Sequence, residues 1–250
     1  MKKFPLAVCC LAATSSFAQN GFFIQPETGI GVATVKSTRA VLRLNVPGAD
    51  QLAPNRSVLS YNAGALLGYR LNNWRLYTGV SWLRTGYEND NIEYSTGGWY
   101  GYVSYKVVQT FDHFSVPLLA GYNFSLGKKL SVTPVAGAVV SYNASSHVTL
   151  TPNAYAIVPE QKNQHTISTS DFDRDYQRVS SWAIFKAQLE YKLNNRMAII
   201  AGPEAQLMLS NFWNNNHNYP NQVHNQSLTI NGGINWRLKK HETKNEVHLN

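Results

Sequence analysis

The sequence predicts an all-β chain, an eight-stranded antiparallel transmembrane β-barrel with long extracellular loops and short periplasmic turns. Three observations carry that prediction. Alternating apolar and polar residues recur in runs of about ten or more, twice an ordinary globular strand and enough to cross a bilayer at a tilt. Charged residues make up only 14% of the 250 residues, while aromatics reach 12%, with 14 Tyr and 6 Trp; soluble domains carry roughly 25% charge. Long and short connections alternate along the chain, as in outer-membrane barrels. After the N-terminus no stretch holds the ~18 consecutive apolar residues of a spanning helix.

Residues 1–18 read as a signal peptide: Lys2 and Lys3 give the positive start, Pro5 to about Thr14 the apolar core, and Ser16-Phe17-Ala18 the small-x-small site. Cleavage is placed after Ala18. The apolar run is too short for an anchor helix. Cys9 and Cys10, the only cysteines, lie inside the signal. A lipoprotein-type cleavage before Cys9 is disfavoured by the bulky Val8 and the very short signal it would leave. The mature chain is then free of disulfides, thiolate catalysis and Cys-ligated metal.

The barrel is assigned to residues 19–240. The first strand begins near Gly21, with Phe22, Ile24, Pro26, Thr28, Ile30 and Val32 toward lipid and Gln25, Glu27, Gly29, Gly31 and Ala33 inside. Alternation is read on through Ala40–Val46 before a turn at Pro47-Gly48-Ala49-Asp50. Two runs then flank Asn72-Asn73, a pair that tolerates the left-handed backbone of a two-residue hairpin. Leu59, Tyr61, Ala63, Ala65, Leu67, Tyr69 and Leu71 share one face of the first run, opposite Ser60, Asn62, Gly64, Gly68 and Arg70, with Leu66 the exception. Trp74, Leu76, Thr78, Val80 and Trp82 oppose Arg75, Tyr77, Gly79, Ser81 and Thr85 in the second.

Glu88 to about Gly98 reads as a polar loop, and 99–108 as a strand extension outside the membrane. The fourth strand, about 109–126, puts Phe114, Val116, Leu118, Ala120, Tyr122 and Phe124 outward, and Pro117 within it requires a bulge or a missing ladder bond. After Gly127-Lys128-Lys129, the fifth strand (130 to about 145) turns Val132, Pro134, Ala136, Ala138, Val140 and Tyr142 outward. Residues 146–177 form the longest connection, with Asp171, Asp173 and Asp175. The sixth strand, about 178–193, sets Ala183, Phe185, Ala187, Leu189, Tyr191 and Leu193 against Lys186, Gln188, Glu190 and Lys192. After Asn194-Asn195, the seventh (196–212) places Glu204 and Gln206 inside. An Asn/His-rich loop, 213–226, leads to the eighth, where Leu228, Ile230, Ile234, Trp236 and Leu238 oppose Thr229, Asn231, Asn235, Arg237 and Lys239. A charged tail, 241–250, follows. A soluble lipocalin-like barrel would carry its charge on the outer face, whereas here Glu, Lys and Arg fall mainly opposite Trp and Leu.

Gly-Tyr-Arg-Leu-Asn-Asn-Trp (68–74), the signal ending Ser-Phe-Ala-Gln and His113-Phe-Ser-Val-Pro-Leu-Leu-Ala-Gly-Tyr-Asn-Phe124 resemble the outer membrane β-barrel domain family common in Bacteroidetes, which includes PorT-like proteins. The resemblance covers about 20–240 and implies the fold rather than an activity. The chain departs from the family in running on past Trp236 instead of finishing on an aromatic residue.

An eight-stranded barrel has an interior just filled by side chains. The inward positions collect Glu27, Glu190 and Glu204 with Arg70, Arg75, Lys186, Lys192 and Arg237, a network expected to pair across the lumen because unpaired buried charge is costly. It serves as a structural plug or as a polar conduit. The formal charge is +8, or +6 without Lys2 and Lys3. In an exported chain this points to outer membrane lipid and lipopolysaccharide rather than nucleic acid. Lys36, Arg39, Arg43 and Arg56 make the first long connection a candidate lipopolysaccharide-contacting loop. Tyr155, Phe172 and Tyr176 supply aromatic contact surface for an extracellular or secretion-machinery protein partner. Lipid-directed hydrolysis would need a Ser with His and a carboxylate at the bilayer rim. His113, His147, His165, His217 and His224 supply the residue type without a nucleophile motif. The expectation is a non-enzymatic protein without metal or cofactor, in the outer membrane of a Gram-negative bacterium. Its role is read as surface-binding, adhesin-like or envelope-structural; the alternatives are a PorT-like secretion accessory and a small solute channel.

Overall fold

The computed structural model describes residues 21–37, 55–95, 102–152, 165–168, 177–210 and 223–238. Eight long strands form the wall: β1 (Gly21–Ser37), β2 (Val58–Leu71), β3 (Trp74–Ser95), β4 (Tyr102–Tyr122), β5 (Leu130–Pro152), β6 (Val179–Lys192), β7 (Met197–Met208) and β8 (Val223–Arg237). Each pairs antiparallel with its neighbours in sequence. β1 pairs with β8, from Phe23 opposite Arg237 to Ser37 opposite Val223, and this closes the sheet. Closure leaves no strand edge for lipid to meet, the condition for a sheet to span a bilayer.

The local chemistry of the short turns is what the sequence asks for. Asn72 adopts a φ of 57° and is the sole non-glycine residue with positive φ among those described. Asn194 Oδ1 accepts from the Arg196 and Met197 backbone amides, both at 2.8 Å, an Asx turn that redirects the chain into β7. Pro117 is accommodated by a gap in the β3–β4 ladder, where Gly79-Val80 and Val116-Pro117 are unpaired. The missing donor therefore breaks no bond that the neighbouring pairs require.

Outward positions follow the alternation. Leu118 (67% exposed) and Val80 (65%) are typical of the apolar band. Aromatics border it: Phe22, Tyr69, Trp74, Tyr122, Tyr191 and Trp236 toward the short turns, Tyr61, Trp82, Phe114 and Tyr142 toward the long connections. From Trp74 to Trp82 the rise across a tilted strand is about 20 Å, a little less than the ~25 Å apolar band of outer-membrane barrels.

Three boundaries differ from the sequence reading. Glu88–Ser95, expected as loop, continues β3 and pairs with Tyr102–Val108 across one register irregularity. Residues 146–152, expected in the longest connection, continue β5, and His165–Ser168 pairs with His147–Leu150. Residues 223–226, expected as loop, open β8. The cause is common: beyond the bilayer neither face must be apolar, so a ladder can extend through polar sequence that carries no alternation signal. The readings at 38–54, 96–101, 153–164, 169–176 and 211–222, and those of the signal and tail, lie outside the described residues.

Candidate functional site: the lumen and the outer rim

The inward face carries charge at two levels, with apolar and neutral polar side chains between and above them. Phe23, Leu66, Tyr77, Leu83, Phe111, Leu119, Val135, Val139, Trp182 and Ile184 form a continuous buried cluster inside the barrel. Leu66, the exception to the outward rule, belongs to this plug and is 2% exposed. Gly68 is part of the same packing. A Cβ there would sit inside the Phe23 ring, so the absence of a side chain is what lets that ring lie across the lumen.

The mid-level cluster is built by β1, β6 and β7. Lys186 reaches both Glu27 and Glu204, and all three side chains are at most 7% exposed. The carboxylates are further held by neutral donors: Gln25 Nε2 to Glu27 at 2.9 Å, Asn231 Nδ2 to Glu204 at 2.7 Å, Asn62 Nδ2 to Glu204 at 3.2 Å, and Gln206 to Glu204. Two small cavities border this cluster, one toward Pro117 and Leu119, the other toward Pro203 and Gln188, each with room for about one water. Neither approaches the size of a solute path.

The second cluster lies at the short-turn end. Arg75 donates to Glu190 and to Asn123. Arg237 Nη2 lies 3.4 Å and Arg70 Nη2 3.9 Å from the same Glu190 carboxylate, which is fully buried. Lys192 is half-buried near the end of β6, at the same level. All eight charged residues expected in the lumen thus face inward, and they divide between two levels instead of forming one network. The sequence reading placed Gln25, Asn62, Gln206 and Asn231 inward but named neither them nor Asn123 as partners of the charged groups, because an inward amide looks the same whether or not a charge stands across the lumen. His113, also inward and unexposed, meets Thr85 Oγ1 through Nε2 at 3.1 Å and stands edge-on to Trp182 at 5.4 Å.

A third polar group sits on the outer face, beyond the loop-side aromatic belt. Arg84 donates Nε and Nη2 to the two Asp112 carboxylate oxygens at 2.7 and 2.8 Å, and Nη1 to Tyr61 at 2.7 Å. Its guanidinium lies 5.3 Å from the Tyr61 ring centre and 5.6 Å from that of Trp82. Ser145 also donates to Asp112, at 2.9 Å. A β-bulge between Asp112 and His113 places Ser145 opposite Asp112, and without that one-residue slip Ser145 and His147 would point inward. Ser, His and carboxylate meet here at the rim, but His147 Nε2 faces both Ser145 (3.5 Å) and Asp112 (3.7 Å). A proton relay needs the carboxylate on the other imidazole nitrogen. The arrangement works as an ion-pair clamp between strands.

Of the first connection's basic residues, Arg56 is exposed and its strand segment pairs with Glu88 and Asn89. Lys36, one residue before the end of β1, stands in the ladder opposite His224, and Arg39 and Arg43 lie outside the described residues. Among the described residues no three of His, Cys, Asp and Glu converge to hold a metal.

Solved structures with a similar course include Neisserial surface protein A (16% identity, 87% of this chain and 97% of that one, TM-score 0.41). The N-terminal β-barrel domain of Pseudomonas aeruginosa OprF (13%, 88% and 100%, TM-score 0.36) and the outer membrane protease OmpT of Escherichia coli (11%, 90% and 98%, TM-score 0.41) are also similar. No curated protein matches the chain. The family model described as outer membrane protein beta-barrel domain matches residues 17–210. With a closed antiparallel wall, a lipid-facing apolar band and a match over more than half its length, the chain belongs to the outer membrane β-barrel domain family and is a protein of the outer membrane.

Proposed function

We propose that this barrel is non-enzymatic and serves as a surface-binding, adhesin-like or envelope-structural protein. One observation carries the reading: among the described residues the lumen is packed with buried side chains, while the wall is tall on one side. β3, β4 and β5 run 22, 21 and 23 residues, whereas about ten cross the hydrocarbon. Ten extra residues of tilted strand raise that wall by about 25 Å. A tall closed wall suits display of the connections that join these strands. The lipopolysaccharide contact expected of Lys36, Arg39, Arg43 and Arg56 belongs to the same reading, since that connection leaves on the same side.

The test has two arms. Purified protein in planar bilayers should give no steady ion conductance, and stepwise openings would favour the solute-channel alternative. Cells carrying the barrel with 153–164 and 169–176 replaced by short Gly/Ser linkers should lose surface binding while keeping the heat-modifiable barrel. Retained binding would overturn the surface-binding role. A PorT-like secretion accessory is the second reading, favoured by the 113–124 segment; loss of secreted cargo from a deletion strain, with cell-surface binding unchanged, would select it. N-terminal sequencing of the mature protein checks cleavage after Ala18.

A further inference from the structure

We propose that Arg84 and Tyr61 bind a phosphate of the lipopolysaccharide around the barrel, on the outer face just beyond the loop-side aromatic belt. The inference rests on the outer membrane placement and not on the surface-binding role. Arg84 stands two residues past Trp82 on β3, about 5 Å farther from the bilayer centre along a tilted strand. The polar layer of a membrane is about 5–7 Å deep on each side. A side chain at this height, on the face that continues the lipid-facing band, therefore meets the headgroups of the leaflet.

Open donors on accessible atoms point to the ligand. A guanidinium carries five N–H donors. Arg84 places Nε and Nη2 on Asp112 and Nη1 on Tyr61, and its other two N–H groups meet no acceptor among the described residues. The Tyr61 oxygen accepts from Arg84, so its own hydrogen is directed elsewhere and also finds no acceptor among those residues. These donors sit on groups joined by one 2.7 Å hydrogen bond, and the Arg84 side chain keeps 29% exposure. In bulk water such donors would be hydrated. In the headgroup layer the strongest acceptors are phosphate oxygens, and several oxygens on one phosphorus suit a planar guanidinium with a hydroxyl beside it.

The group is also held in place before any ligand arrives. The guanidinium lies over the Tyr61 and Trp82 rings, and Asp112, itself bonded by Ser145, grips its fork, so binding has little left to order. Asp112 balances the Arg84 charge, and Lys106 pairs with Glu88 at 2.8 Å higher on the same face. The attraction thus comes from oriented open donors rather than from excess charge. Arg178, exposed where the chain enters β6, donates to Tyr142 at 3.4 Å, a second arginine–tyrosine contact on the same belt.

Full-length protein in neutral detergent is titrated with lipopolysaccharide and with the same lipid stripped of its phosphates. Native mass spectrometry and tryptophan emission report binding, and gel mobility reports folding. Wild type should prefer the phosphorylated lipid about tenfold, the gain from charge-assisted contacts, and Arg84→Gln should remove most of that preference. Tyr61→Phe, which leaves the ion pair intact, should lower it about threefold, as one hydrogen bond is lost. Asp112→Asn should preserve or raise it, because a competing negative charge is gone. A clamp that only ties strands together would make Arg84→Gln and Asp112→Asn weaken binding alike, and that result overturns the proposal. Equal binding of the two lipids by wild type overturns it too, as does a folded Arg84→Gln barrel with the wild-type preference. If Arg84→Gln does not fold, an unchanged preference in Tyr61→Phe decides against it. Loss of preference in Arg56→Gln, with Arg84→Gln silent, moves the contact to the first connection and sinks the proposal while the surface-binding reading stands.

Discussion

Replacing Lys186 by Met tests whether the mid-level cluster is a dry, mutually neutralised plug. The ammonium serves two carboxylates, Glu27 and Glu204, and all three groups are at most 7% exposed. At an effective dielectric constant near 20 each contact is worth up to about 4 kcal/mol, and dehydrating the ammonium cancels several kcal/mol of that sum. Removing the cation strands two buried carboxylates beside each other, a change that costs about 3–5 kcal/mol in comparable sites. Met fills nearly the volume of the Lys stem, so a packing defect adds little. The assay is urea unfolding of bilayer-reconstituted barrel, followed by tryptophan emission and gel mobility. Lys186→Met should lose about 3–5 kcal/mol, and the triple variant with Glu27→Gln and Glu204→Gln should recover most of the loss. A Lys186→Met barrel within about 1 kcal/mol of wild type would refute the reasoning. It would mean that water in the two adjoining cavities solvates the carboxylates and that the plug is wet.

The remaining predictions concern packing, turn geometry and lipid contact, all read by the same unfolding assay. Gly68→Val should cost about 1–3 kcal/mol by overpacking, because its Cβ falls within the Phe23 ring, and Phe23→Leu should relieve part of it. Asn72→Ala should cost about 1–2 kcal/mol from the left-handed backbone, whereas Asn72→Gly should be close to neutral. Leu118→Arg, at a lipid-facing position paired with Thr78 midway between the aromatic belts, should cost about 2–4 kcal/mol. Ser115→Ala, on the inward face of the same strand, exchanges one hydrogen bond with Ser141 and should cost about 1 kcal/mol.

Much of the wall was legible because the signal is local. A period of two sorts Ile24 from Gln25 and Phe185 from Lys186 without knowledge of any neighbour, and turn chemistry at Asn72-Asn73 and Asn194-Asn195 needs only the adjoining residues. The extensions 88–95 and 146–152 were not legible, since a strand outside the bilayer carries no obligatory alternation. Trp182 and Phe111 were missed as lumen residues because an inward aromatic contradicts the polar-inside pattern, yet both are fully buried in the plug.

The sequence alone therefore determined the strand number, the lipid-facing side chains and the inward set of eight charged residues. Tertiary structure decided which of them meet. Lys186 finds Glu27 across 159 residues, and Arg75 finds Glu190 across 115. Such distances are set by the β1–β8 closure and by the stagger of all eight strands together. The bulge at Asp112 and His113 likewise brings Ser145 and His147 to the outer face, a one-residue slip that no local pattern encodes. Alternation fixes the face a side chain takes, whereas the partner across the lumen depends on a register summed around the whole barrel.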